Sequence, residues 1–201
     1  SAFIVPHGLS QQPDFLVIKN LGATQNWDIY FRGITGSTQV FELNTNLALT
    51  TTGVTVWNTV DSTKVSARGA SFATSNNPRV VYFWHSVPGL QKFGQYEGNT
   101  TEGAFVELGF RPAIIWIKAI DQNWYWNCQD AERSPINPSK GNFIQFNISG
   151  AEGVASGNNN LDILSNGFKI RSTTAQSEPT NVNGQTYIYG AWAEAPSVDL
   201  Y

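Results

Sequence analysis

Apolar positions in this chain come in short runs broken by Gly, Pro, Asn, Thr and Ser. Asp14-Phe-Leu-Val-Ile-Lys19 is nearly continuous, which suits a strand buried on both faces, and Val54-Thr-Val-Trp57 alternates, as a half-buried strand does. The same pattern predicts strands over residues 3–5, Trp27–Phe31, Val40–Leu43, Lys64–Ala67 and Arg79–His85. Further on it predicts strands over Phe93–Tyr96, Ala104–Leu108, Ala113–Ala119, Trp124–Cys128, Phe143–Ile148, Leu161–Leu164, Gly167–Arg171 and Tyr187–Ala193. Ser165-Asn-Gly167 is a hairpin signal. Apolar residues almost nowhere recur at helical spacing. The predicted class is all-β, in a sandwich or barrel.

The pattern also repeats. Pro13–Lys19 followed by Asn26-Trp27 has a later twin in Pro112–Lys118 followed by Asn123-Trp124. Upstream, Val5-Pro-His-Gly-Leu9 matches Val106-Glu-Leu-Gly-Phe110. Downstream, Phe41–Asn44 matches Phe143–Asn147, and Arg79–Trp84 matches Tyr187–Trp192. Recurrence of several landmarks in one order marks an internal repeat. The expectation is two tandem, pseudo-symmetric, jelly-roll-like β-sandwich halves. Val87-Pro-Gly89 interrupts the pattern and sets the division at 1–88 and 89–201.

Composition narrows the function classes. Charged residues make up 13% and the net charge is −3, with the basic residues scattered. A nucleic-acid or anionic-membrane partner would call for a basic patch. There is no run of eighteen apolar residues, so no membrane insertion is expected. The single cysteine, Cys128, allows no internal disulfide and reads as a small packing residue. The chain holds no Met; either an initiator preceded Ser1 or the sequence is part of a longer one.

Candidate chemistry is sparse. Asp130, Glu132 and Glu194 are the acids that a glycan-cleaving carboxylate pair would use. Asn158-Asn-Asn160 with Asp162 could offer oxygens to calcium, although such a run is ordinarily a turn, and no metal site or cofactor is expected. The binding candidates are Trp124, Tyr125 and Trp126. Strand alternation would put Trp124 and Trp126 on one face and Tyr125 on the other, and an exposed ring could stack on a sugar.

Four segments carry a family resemblance: Val87–Asn99, Gly109–Lys118, Leu164–Arg171 and Thr186–Glu194. Together with His7-Gly-Leu9 and the first repeat, they resemble the repeated C-terminal β domains of tail-fibre-like proteins of tailed bacteriophages, marine and cyanobacterial ones especially. The resemblance covers nearly the whole chain. It implies a non-enzymatic virion protein on the particle surface that contacts other virion proteins and a host receptor or glycan. It further implies a homo-oligomer, a trimer by analogy with phage fibres, and a natural end soon after Ala-Trp-Ala-Glu194. A fibre or fibre-tip module is the first expectation, a capsid decoration or cement protein the second, and a glycan-cleaving enzyme on a β-sandwich the third.

Overall fold

The computed structural model describes residues 3–68, 77–100, 103–137, 142–154, 161–171 and 180–194. Asn158–Asn160 lie outside them. The fold is all-β, with antiparallel pairing throughout and no helix among the described residues. The chain divides into two compact units, Ser1–His85 and Ser86–Tyr201.

The first unit holds β1 (Phe3–Pro6), β2 (Phe15–Asn20), β3 (Trp27–Phe31), β4 (Gln39–Glu42), β5 (Thr50–Thr51), β6 (Trp57–Val60), β7 (Lys64–Ala67) and β8 (Arg79–Trp84). They form a three-stranded sheet in the order β1-β7-β6 and a five-stranded sheet in the order β5-β4-β3-β2-β8. Leu16 and Ile18 of β2 join Val56, Trp57, Val65 and Ala67 in one buried cluster, so both sheets feed the same core. Each such fully buried aliphatic side chain is worth roughly 1.5–3 kcal/mol. Phe15 and Val17, on the other face of β2, are buried as well, which explains why its run is continuous rather than alternating.

The alternating stretch Val54–Trp57 is largely not a strand; β6 starts at Trp57. The turn that follows fixes the register. Asp61 Oδ1 accepts the N–H groups of Thr63 (2.8 Å) and Lys64 (2.9 Å), closing the β6–β7 hairpin around residues 61–64. Val54 instead sits in a loop turned by Thr52, whose hydroxyl donates to Val54 O.

The second unit holds β9 (Gln91–Glu97), β10 (Phe105–Glu107), β11 (Pro112–Ala119), β12 (Asn127–Asp130), β13 (Asn142–Gln145), β14 (Gly153–Val154), β15 (Leu161–Leu164), β16 (Gly167–Ile170) and β17 (Thr186–Ala193). The sheets are β10-β16-β15 and β14-β13-β12-β11-β17-β9. Ile115, Ile117, Tyr187 and Tyr189 from the larger sheet meet Val106, Leu161, Ile163, Phe168 and Ile170 from the smaller.

Strand for strand, β10 to β17 repeat the order of β1 to β8. The registers agree residue by residue. Lys19 stands between Trp27 and Val80, while Lys118 stands opposite Ile188. Leu21 N–H donates to Pro78 O, and Ile120 N–H to Thr186 O. Trp84 faces Phe15, and Trp192 faces Ile114. His7 N–H donates to Thr63 O, and Leu108 N–H to Asn166 O. Among the described residues one strand has no counterpart: β9, which lies along β17.

Candidate functional site

The segment between β11 and β12 carries the three aromatic candidates. Its base is Lys118, near the end of β11 and fully buried. Its ammonium donates to Ala119 O (2.6 Å) and Gln122 O (3.0 Å), tying the loop back onto the strand that precedes it. The first unit repeats the device: Lys19 donates to Asn20 O (2.9 Å) and Gln25 O (2.8 Å). A long apolar stem with a charged tip that satisfies carbonyls explains how a lysine is tolerated in a core.

From that clamp the loop runs through exposed Asp121, Gln122 and Asn123 to half-buried Trp124 and Tyr125. Asp121 Oδ2 accepts Thr186 N–H at 2.9 Å, which fixes the loop to the start of β17. Trp124 packs on the core cluster and stacks over Tyr187, with ring centroids 6.5 Å apart and planes at 24°. Tyr187 stacks in turn on Tyr96 at 5.0 Å and 10°. Trp124 is thus the outer member of a three-ring stack. Tyr96 Oη donates to Thr180 O at 2.8 Å, and Tyr187 Oη accepts Val182 N–H at 3.1 Å. Burial pushes the Tyr187 hydroxyl up to about 12 and that of Tyr96 well above its ordinary range.

Trp126 departs from the alternation expected of this run. It is 2% exposed and packs against Phe146, ring centroids 5.8 Å apart, while its main-chain N–H donates to Asn147 Oδ1 at 3.0 Å. Phe146 also meets Trp116, on the side of β11 opposite Ile115 and Ile117. Trp124 and Trp126 therefore separate. The reason is that β12 begins only at Asn127, so residues 123–126 do not have the two-residue period of a strand. Trp124 and Tyr125 remain as rings with accessible surface; sequence reasoning missed Lys118 as their anchor, although its twin Lys19 was in plain view.

Asp130, Glu194 and Asp162 are each engaged locally. Asp130 pairs with Arg133 at 3.0 Å, and Arg133 reaches Glu152 at 3.8 Å. Glu194 pairs with Arg111 at 2.9 Å, while Glu132 is exposed. Asp162 is held by Arg171 at 2.5 Å. Among the described residues no group of three or more His, Cys, Asp or Glu is placed to hold a metal ion. Burial, with a smaller push from Asp130, raises the Cys128 thiol to about 11. Among the described residues no helix is long and apolar enough to cross a membrane.

Residues 1–196 match a family described as a domain of unknown function (DUF7483). No curated protein and no solved structure matches the chain.

Proposed function

We propose that this chain, which belongs to the DUF7483 family, is a non-enzymatic structural protein on the surface of a tailed-phage particle. In this reading it is a tail-fibre or fibre-tip module that attaches the particle to the host, through a surface glycan. Its two units are jelly-roll-like sandwiches descended from one duplicated block, and copies of the chain associate in the particle. The shared strand order of β1–β8 and β10–β17 supports the duplication. The sequence resemblance supports the setting.

The observation that carries the binding role is the arrangement at Trp124. A tryptophan backed by stacked Tyr187 and Tyr96 is held rigid on one side. The neighbouring loop offers Asp121, Gln122 and Asn123 as exposed polar groups. A flat apolar ring beside carboxylate and amide groups matches the two faces of a sugar: C–H groups that stack and hydroxyls that hydrogen-bond. Trp124 has no tryptophan counterpart in the first unit, where Gln25 stands at the same spacing after the lysine, so the binding role is assigned to the second unit alone.

Localising the chain on the intact particle by labelled-antibody electron microscopy tests this reading. Label at the tail tip, with Trp124→Ala lowering adsorption to host cells, supports it. Label distributed over the capsid, or hydrolysis of host glycan that is lost with Asp130→Asn or Glu194→Gln, overturns it in favour of a decoration protein or an enzyme respectively.

A further inference from the structure

The two larger sheets differ at one edge. In the second unit β17 lies between β11 and β9, whereas its counterpart β8 ends its sheet. Leu21 donates to Pro78 O at 2.8 Å. Antiparallel alternation then makes Lys19–Val80 and Val17–Tyr82 the bonded pairs, so Val81 and Phe83 turn their N–H and C=O groups away from β2. In β17 the counterparts of Val81 and Phe83 are Tyr189 and Ala191, which face Gly94 and Lys92 of β9. Ala193 N–H to Leu90 O (2.8 Å) and Gly98 N–H to Gln185 O (2.9 Å) fix these as bonded pairs. The row of backbone groups that holds β9 in one unit is thus displayed in the other with no strand on it among the described residues.

Exposed sheet edges are ordinarily blunted. The edge strands β9, β15, β5 and β14 follow that rule. On the outer side of β9, Gln91 exchanges hydrogen bonds with Val87 (3.0 and 2.8 Å), and Phe93 N–H donates to Ser86 Oγ at 3.1 Å. Asn137 covers β15, donating to Ile163 O (2.8 Å) and accepting Ile163 N–H (3.0 Å). The edges β5 and β14 are two residues long. β8 has no internal proline, no register shift and a single charge, Arg79, at its start.

We propose that the β8 edge is a strand-accepting site, occupied by an extended segment of a partner protein with the chemistry of β9. Placing β9's register on β8 sets Phe93 opposite Tyr82, Gly94 opposite Val81 and Tyr96 opposite Arg79. The ligand is therefore antiparallel, with an aromatic residue facing Tyr82, a small residue facing Val81 and a second aromatic residue facing Arg79. In the second unit a Cβ at Gly94 would meet Tyr189 Oη at 2.7 Å; the shorter Val81 relaxes this demand from glycine to any small residue.

The probe is a fluorescent synthetic peptide of the Leu90–Gly98 sequence, titrated with the full chain and read by anisotropy. Saturable binding is expected, with roughly a tenfold loss for chain carrying Val81→Pro, which removes one outward donor and leaves the β2 pairs intact. N-methylation of the peptide at Gly94 removes the donor that would face Val81 O and likewise costs roughly tenfold. Absence of binding to the unaltered chain, or equal binding by a Val81→Pro chain with an unchanged circular dichroism spectrum, overturns the proposal. If Val81→Pro fails to fold, the N-methylated peptide decides, and its binding as tightly as the unmodified peptide overturns the proposal. A dimer of the chain that Val81→Pro dissociates, without peptide uptake, also overturns it, because the edge then belongs to a second copy.

Discussion

Trp27 and Trp126 are equivalent residues in the two units. Each stands one position before the residue of β3 or β12 that pairs with the isoleucine preceding the clamp lysine, and each donates its main-chain N–H to an asparagine Oδ1: Trp27 to Asn44 at 2.8 Å, Trp126 to Asn147 at 3.0 Å. The two asparagines hold the strand entry by the same bond. Asn44→Ala and Asn147→Ala should therefore cost similar amounts, each about 1 kcal/mol, the net worth of a typical protein hydrogen bond. Urea unfolding of the two variants checks this.

The clamp lysines should not be equal. Lys118 is fully buried, whereas Lys19 is half-buried. Removing the Lys118 ammonium strands Ala119 O, a buried acceptor, at a cost of roughly 1–3 kcal/mol, whereas Gln122 O lies in an exposed loop. Lys118→Met should destabilise the chain more than Lys19→Met, where solvent can substitute. The same urea titrations read the difference.

Much of this could be read from the sequence, and the exceptions have physical causes. Matching Arg79–Trp84 with Tyr187–Trp192 places Trp84 and Trp192 in the same register position, because nothing is inserted between the clamp strand and its neighbour. Matching Asn26-Trp27 with Asn123-Trp124 misplaces the tryptophan. Residue identity favoured Trp124, but spacing from the lysine and the bond to Asn147 select Trp126. Alternation failed over Val54–Trp57 because Asp61 sets where the hairpin turns, and a turn bond is invisible to a hydrophobic pattern. The open edge of β8 was likewise out of reach. Periodicity tells which face of a strand is buried but not which strand lies beside it.

Alkaline pH should weaken the second unit. Burial raises the hydroxyls of Tyr187 and Tyr189 to about 12, and raises that of Tyr96 further than its ordinary range, with a smaller push from Tyr187. In the unfolded chain a tyrosine ionises near about 10. The folded state binds these protons more tightly, so their contribution is complete below that value and is lost as pH climbs toward about 12 and beyond. Thermal melts across this window should show a falling midpoint, steeper for the unaltered chain than for Tyr189→Phe.

Cys128 should be chemically quiet. Its thiol is raised to about 11, chiefly by burial, so very little thiolate exists at neutral pH. Labelling with a thiol reagent should be slow in the native chain and fast in denaturant. Rapid native labelling would show that β12 opens far more readily than its packing implies.

The central claim is that one β unit occurs twice in the same register, and interstrand nuclear Overhauser effects test it most directly. The account predicts Ile18 contacts to Asp28 and Val81, matched by Ile117 contacts to Asn127 and Tyr189. Contacts that place Tyr125 rather than Asn127 beside Ile117, the register that would make Trp124 the counterpart of Trp27, would contradict it.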